Sequence, residues 1–226
     1  MKRINFGLIL LCVIVSFSCG SKQGKGTGDA YTLDSLNNQI STVDSLNASA
    51  QKQEIQDLIR KVLNWKDSDT TFRMHPYLAD NKDSLIGFDT KIISKNIAIL
   101  KSTGLFANAF IDNYKNLVST LDKKIRSGEY GECYANELPP YKFANDVDPW
   151  TLCQDIPYDN PNPSDFVEVI VLKLDNNNGE LNWKWGRLNS NVSTDWKNFT
   201  YRFKVTREDG KWKISYLQGF DYKDNI

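Results

Sequence analysis

The stretch that decides the fold is "WKNFTYRFKVTREDGKWKIS", which covers residues 196–215. From position 199 to position 205 every second residue is aromatic or valine, and the residues between them are polar or charged. This period of two predicts a β-strand with one apolar face. The "EDG" at 208–210 is a hairpin signal, and Trp212, Ile214 and Tyr216 alternate again after it. The stretch therefore predicts an antiparallel hairpin late in the chain.

Two earlier segments extend this hairpin into a sheet. The first, "FVEVIVLKL" at 166–174, is rich in β-branched residues and is followed by the turn sequence "DNNNG". The second, "LNWKWGRL" at 181–188, alternates between apolar and polar residues. Together these segments predict an antiparallel sheet of about four strands.

A helical period precedes the sheet. Apolar residues recur at spacings of three and four, which predicts helices after Ala50 to about Trp65, over 90–102 and over 105–126. Residues 72–90 show no clear period and contain a proline and a glycine, so we expect an irregular crossover there. Helices followed by a meander make an α+β domain, to which we assign residues 51–226.

The charge balance excludes one class of partner. The 226-residue chain carries 28 basic and 28 acidic residues, so its formal net charge is zero. Such a chain has no overall field to recruit nucleic acid, and no basic stripe is present in the sequence. We therefore expect no nucleic-acid partner, and no motif predicts a cofactor.

The N-terminus has the layout of a secretory signal. Lys2 and Arg3 precede an apolar run over 6–17, which is too short to span a bilayer as a helix of about 20 residues. The "SFSC" that follows resembles a bacterial lipobox of the Bacteroidota type. This resemblance implies a lipoprotein signal peptide at 1–18, and it implies that Cys19 is acylated and holds the protein to the outer membrane of a bacterial cell envelope. The alternative is an ordinary signal cleavage that leaves Cys19 free.

Residues 19–50 predict a flexible tether, because they are rich in Gly, Ser, Thr and Asn and poor in aromatic residues. "TLDSLN" at 32–37 recurs as "TVDSLN" at 42–47. The Asp-Ser-Leu in both resembles the acceptor motif of general O-glycosylation in Bacteroidota, which implies sites at Ser35 and Ser45. The same pattern implies sites at Ser84 and Thr70. The alternative for the repeat is low-complexity sequence without modification.

Two local signatures, "DPWTLCQD" at 148–155 and "VTREDGKWKIS" at 205–215, carry a further resemblance. They resemble an uncharacterised family of bacterial envelope lipoproteins whose fold is nuclear transport factor 2-like. The resemblance spans residues 53–217 and implies a curved sheet wrapped around the N-terminal helices, with a cone-shaped pocket between them. It implies no known activity.

The domain contains two cysteines, Cys133 and Cys153. An isolated pair in an exported protein predicts a disulfide, which would stabilise the fold by roughly 3 kcal/mol for a loop of about 20 residues. A zinc site needs two more ligands, and the one histidine, His75, lies far away in sequence. We therefore expect a disulfide and no metal.

Few residues offer catalysis. His75 stands in "RMHPYL" without a nucleophile motif, so we expect a structural histidine. Enzymes of the nuclear transport factor 2-like fold use an Asp or Glu as a pocket base, and Glu168 is the weak candidate here. The alternative is that Val167 and its alternate neighbours form the core face, which turns Glu168 toward solvent.

The stretch "DVDPWTLCQDIPYD" at 146–159 contains four aspartates and two prolines. A calcium loop and a set of capped turns are both open interpretations, and we favour turns in which Trp150 fills the junction of helices and sheet. For Trp183 and Trp185, a sugar-stacking platform is weighed against core packing, which we favour.

The sequence therefore predicts a lipid-anchored envelope protein with a non-catalytic role, binding a small ligand or another envelope protein. Two alternatives stay open at this point. One is an enzyme of isomerase or hydrolase type that uses a pocket carboxylate, and the other is an inhibitor or immunity-type protein for an envelope hydrolase.

Overall fold

The computed structural model describes residues 31–158 and 162–226, with side chains from residue 46 onward. The chain divides into two units, residues 1–43 and 44–226. In the first unit the described part is the helical backbone of residues 31–43. The predicted signal peptide and Cys19 lie outside the described residues, as do the side chains of Ser35 and Ser45.

The elements of the described chain follow one another from helices to strands. They are α1 (Tyr31–Ser68), β1 (Tyr77–Ala79), β2 (Leu85–Phe88), α2 (Thr90–Thr103), α3 (Asn108–Arg126), the 3-10 helix η1 (Pro163–Phe166), β3 (Val167–Leu174), β4 (Asn178–Trp185), α4 (Thr194–Asn198), β5 (Tyr201–Glu208), β6 (Lys211–Leu217), the 3-10 helix η2 (Gln218–Phe220) and α5 (Tyr222–Asn225). The predicted α+β class is confirmed.

Helix α1 begins earlier than its apolar stripe indicated. The stripe itself is buried as predicted, at Ile55, Leu58, Ile59, Val62 and Leu63. The helix starts at Tyr31, however, inside the predicted tether of residues 19–50. No glycine or proline occurs between Tyr31 and Ser68, so nothing in the local sequence ends the helix before the domain is reached.

Helices α2 and α3 follow the predicted spans closely. Asp89 caps α2 by accepting a hydrogen bond from the Lys91 N–H at 2.7 Å, and Gly104 ends it in the left-handed conformation. The apolar stripe of α3 is buried along its length, at Phe110, Ile111, Tyr114, Leu117, Val118, Leu121 and Ile125. These residues form the helical side of the core.

The hairpin formed by β1 and β2 corrects the predicted irregular crossover. Its strands are three and four residues long, too short to show a period. Arg126 of α3 stabilises the hairpin, because its Nη2 donates to the Phe88 carbonyl at 3.0 Å and its guanidinium lies directly over Gly87. Gly87 has a φ of 144°, so this position favours glycine for its conformation as well as for space.

The main sheet is an antiparallel meander in the order β3-β4-β5-β6. Its core face carries Leu181 and Trp183 of β4 opposite Phe203 and Tyr201 of β5, and all four side chains are fully buried. Core packing of the two tryptophans is therefore the correct interpretation, since Trp185 is also buried. The opposite face of β4 and β5 is polar, with Glu180 lying close to both Arg202 and Lys204.

A long segment between α3 and η1 completes the domain without a helix or a named strand in its described part, residues 127–158 and 162. It nevertheless sends Tyr141, Phe143 and Trp150 into the core. Within the described residues, no helix combines the length and apolarity needed to cross a membrane.

Candidate ligand cleft

A cleft of about 490 Å³ lies between the end of α1, the segment 148–156 and η1. Its polar lining consists of Lys66, Asp67, Asp148, Thr151, Gln154, Asp155 and Ser164. Its apolar lining consists of Leu63, Cys153, Ile156, Pro163 and Trp185. The volume lies within the range of small-molecule sites, which is about 300–1,000 Å³. The "DPWTLCQD" stretch thus forms one wall of the cleft.

Asp148 shapes this wall as a tight turn. Its carboxylate Oδ1 accepts the Trp150 N–H at 3.0 Å, and its carbonyl accepts the Leu152 N–H at 2.6 Å. Leu152 has a φ of 54°, and the Asp148 N–H donates to the Cys153 carbonyl at 3.3 Å to close the turn. This is the side-chain capping that aspartate supplies beside a proline, as the sequence predicted.

Trp150 anchors the turn in the core, which confirms its predicted place at the junction of helices and sheet. Its ring meets those of Trp65 on α1, Phe110 on α3 and Phe220 on η2, with centroid distances of 5.5, 6.3 and 4.5 Å. Next to it, the buried hydroxyl of Tyr201 donates to the Pro149 carbonyl at 2.8 Å. The cleft wall is therefore fixed from three sides of the domain.

Lys66 is the cation of the cleft. Its ammonium lies 2.6 Å from Asp148 and 2.9 Å from Asp67. Burial disfavours the charged form, but the hydrogen bonds and charges of Asp148 and Asp67 together raise the pKa of Lys66. Lys66 therefore stays protonated at neutral pH and cannot serve as a base there.

Cys153 lies on the cleft wall as a protonated thiol. Burial raises its pKa to about 11, and the nearby indole N–H of Trp185 acts in the opposite direction. The Sγ donates to the Thr151 carbonyl at 3.3 Å. Because a cysteine nucleophile reacts as the thiolate, this thiol is not activated for catalysis at neutral pH.

Trp185 belongs to the apolar lining of the cleft. Its indole Nε1 is buried beside the Cys153 sulfur, and this contact lowers the pKa of the thiol against the larger effect of burial. The lining also contains three carboxylates, those of Asp67, Asp148 and Asp155, and one ammonium, that of Lys66. The arrangement suits reversible binding of a polar ligand with apolar parts.

The weak catalytic candidate Glu168 lies elsewhere. Its neighbours in the strand, Val167 and Val169, are buried in the core, so the valine face is the core face. The Glu168 side chain is 46% exposed and lies 3.5 Å from Lys184. It therefore lacks the desolvated surroundings of a pocket base.

His75 is also remote from the cleft. Its Nδ1 lies 3.2 Å from the Tyr141 hydroxyl, and its ring stacks on Tyr77 at 5.1 Å. Burial lowers the pKa of His75, while a hydrogen bond with the backbone of Ala144 opposes this effect. The contacts are those of a structural histidine.

The structure differs from the expected disulfide, because Cys133 and Cys153 are both free thiols. Cys133 belongs to a different neighbourhood: its carbonyl accepts the N–H of Leu85 in β2, and its Sγ approaches the carbonyls of Tyr130 and Gly131. Cys153 instead faces the cleft. The spacing of the two cysteines in the sequence did not reveal that they lie in different neighbourhoods, because this depends on how the segment between them folds around the core.

The remaining predicted sites are scattered over the surface. Thr70 is exposed beyond the end of α1, and Ser84 is half-buried at the turn before β2. Among the described residues, no three His, Cys, Asp or Glu side chains converge to hold a metal ion. Asp159 lies outside the described residues.

Sequence reasoning did not assign to this cleft the six lining residues outside positions 146–159, which are Leu63, Lys66, Asp67, Pro163, Ser164 and Trp185. They come from α1, η1 and β4, and no local motif connects these elements. The one available signal was the density of polar turn residues at 146–159, which marked the wall but not what faces it.

Comparisons with known proteins add no family. No protein-family model matches the chain, and no curated protein matches it. A solved structure, described as a protein of unknown function from Bacteroides thetaiotaomicron VPI-5482, is 13% identical and aligns with a TM-score of 0.37 over 79% of this chain and 98% of that chain. A similarity at this level supports neither a fold assignment nor a function.

Proposed function

We propose that this protein is a lipid-anchored protein of the bacterial cell envelope, held by Cys19, and that its domain binds a small ligand or an envelope protein without catalysing a reaction. The observation that carries the binding role is the cleft of about 490 Å³, whose wall is held by the Asp148 turn and by the packing of Trp150 in the core. The anchoring role rests on the lipobox resemblance at 16–19.

The state of the charged groups supports binding over catalysis. The positive charge of Lys66 is balanced by ion pairs with Asp148 and Asp67, and the thiol of Cys153 keeps its proton at neutral pH. Catalytic sites need a group poised to give or take a proton near the working pH. The alternative enzyme would require such a group, and Glu168 is too exposed to supply it.

We propose further that the fold is a nuclear transport factor 2-like variant in which side chains fill the cone. The order of helices followed by an antiparallel meander supports this. The fully buried Trp183, Tyr201 and Phe203 occupy the face on which such a fold would hold an internal pocket. Ligand binding in such a variant occurs at the surface cleft and not inside the sheet.

A fragment screen by NMR tests the binding role, with the indole N–H of Trp185 as reporter. Fragments that bind saturably are expected to shift this resonance together with the amide resonances of Thr151 and Cys153. Replacing Ile156, which is 44% exposed at the cleft, by Asp should weaken apolar fragments about fivefold, because it removes apolar contact area.

Leu138→Asp is the matched control, because Leu138 is 68% exposed and does not line the cleft. It should leave fragment affinities unchanged. Fragments that bind without shifting the Trp185 indole, or that respond equally to both variants, contradict the assignment of the cleft. Turnover of any fragment that depends on cleft residues would favour the enzyme alternative.

A further inference from the structure

Strand β3 forms one edge of the four-stranded sheet. Alternate residues of an edge strand direct their N–H and C=O groups away from the sheet, where another chain can pair with them. In β3, Val167 and Val169 are two of these residues, because side chains of α1 bond to their outward backbone groups. The alternation makes Val171 the third.

Helix α1 protects the first half of this edge. Arg60 donates to the Val167 carbonyl through Nη2 at 2.8 Å and Nε at 3.1 Å. The Val169 N–H donates to the Gln56 side-chain oxygen at 3.1 Å. Among the described side chains, none caps Val171 in this way. The edge is thus closed at its start and open farther along.

The open half is also apolar and exposed. Ile170, Val171 and Leu172 are 38%, 37% and 54% exposed, and they are consecutive. A β-bulge follows Val171, so the local alternation is broken at this point. An exposed apolar edge strand is an aggregation hazard, and this half has the bulge and Lys173 but, among the described residues, no side-chain cap of the kind that α1 supplies to Val167 and Val169.

Two adjacent grooves follow this edge. The first, of about 500 Å³, borders residues 168–170, and the second, of about 610 Å³, borders residues 171–176. Both are lined on the helix side by Ser49 and Lys52. Since the grooves follow consecutive residues of one strand, their shape suits an extended chain better than a compact molecule.

The charges along the grooves favour an acidic partner. Lys52 is exposed and forms no ion pair among the described residues, and Lys173 lines the second groove. The acids beside them are already engaged. Glu168 lies 3.5 Å from Lys184, and Asp175 attracts Lys173, so Lys52 is the cation of both grooves that is left for a partner among the described residues.

We propose that the second half of β3 is a site of β-strand addition for an extended segment of another protein, with alternating apolar residues and a carboxylate that meets Lys52. Main-chain hydrogen bonds at Val171 give such a complex its affinity, and side chains beside Ile170 and Leu172 give it selectivity. The site is separate from the ligand cleft and does not depend on it.

The test uses the full chain and a nine-residue probe peptide of alternating valine and threonine with one central aspartate. Saturable NMR shifts are expected at residues 170–174, with slowed exchange of the Val171 amide. Lys52→Glu should weaken binding about fivefold, and a twin peptide with a central lysine should then bind this variant better than the unaltered protein. Lys61→Glu, an exposed change on the same helix, should have no effect.

Three results overturn the proposal: shifts that map outside residues 168–176, equal affinity of the aspartate peptide for the Lys52→Glu and Lys61→Glu variants, or no saturable binding. A doubled mass in ultracentrifugation, with the Val171 amide protected in the absence of peptide, would assign this edge to a second copy of the chain and overturn it too.

Discussion

His75 shows how a single residue acquires its properties from distant neighbours. It is the one histidine of the chain, and it is half-buried between Tyr77 and Tyr141. Tyr77 stands two positions away, whereas Tyr141 comes from the segment after α3. The sequence showed that His75 belongs to no nucleophile motif. It did not reveal the lowered pKa of His75, because that depends on burial by residues distant in sequence.

The lowered pKa of His75 makes folding depend on pH in a defined window. Because burial favours the neutral ring, the unfolded chain binds the proton more readily, with a pKa near 6.5. The contribution of His75 to stability is complete above about pH 6.5 and is lost as the pH falls toward the folded-state pKa. We expect the single histidine C–H resonance to titrate with a midpoint below 6.5 in the folded protein.

The same window provides the control. Urea unfolding at pH 7.5 and 5.5 should show a smaller pH effect for His75→Phe, which keeps the ring stacked on Tyr77 and cannot titrate. A folded-state midpoint at or above 6.5, or the same pH effect in both proteins, would show that His75 is not held in its neutral form.

At the scale of elements, the wall of the cleft depends on one buried hydroxyl. Tyr201 on β5 donates to the Pro149 carbonyl at 2.8 Å and accepts the Gly219 N–H at 3.0 Å. It thereby connects the turn of residues 148–153 to η2. Gly219 itself lies against the Pro149 carbonyl so closely that a Cβ would overlap it.

Tyr201→Phe should therefore lower the free energy of unfolding by about 1–3 kcal/mol, because it leaves a buried carbonyl and a buried N–H without partners. Tyr216→Phe is the matched control, since Tyr216 is half-buried and its hydroxyl bonds to Asp221 at 2.8 Å near the surface. Chemical denaturation of the two variants measures the difference. Equal losses would mean that the Tyr201 hydroxyl does not hold the wall.

The elements themselves were predictable where a period runs for several residues. The stripe of α3 and the alternation of β5 each repeat often enough to fix their type and face. The β1–β2 hairpin was not predictable, because its strands are short and Arg126 supports it from 38 residues away. The cleft was predictable on one wall alone, since its other sides come from α1, η1 and β4.

At the scale of the whole molecule, the core decides where a ligand can bind. The sheet face that a cone-shaped pocket would need is occupied by large buried rings, including Trp183 and Tyr201. The two binding sites that we propose therefore both lie at the surface, at the cleft beside Trp185 and along the edge of β3. The two sites use different residues, so each can be altered without the other.

The proposed attachment to the envelope would determine where these surfaces work. A thioether-linked pair of acyl chains and an acylated amine at Cys19 would hold the protein at the membrane far more firmly than one acyl chain, which gives only marginal membrane binding. Cys12 lies inside the predicted signal and should not be retained in the mature protein. Replacing Cys19 should therefore abolish membrane association, whereas replacing Cys12 should leave it unchanged.

Membrane fractionation of the unaltered protein, Cys19→Ala and Cys12→Ala tests this claim most directly. The unaltered protein and Cys12→Ala should both partition into the detergent phase with the membranes. Cys19→Ala should move to the aqueous phase, because it has no thiol to acylate. If Cys19→Ala stays with the membranes to the same extent as the unaltered protein, the lipid anchor is contradicted.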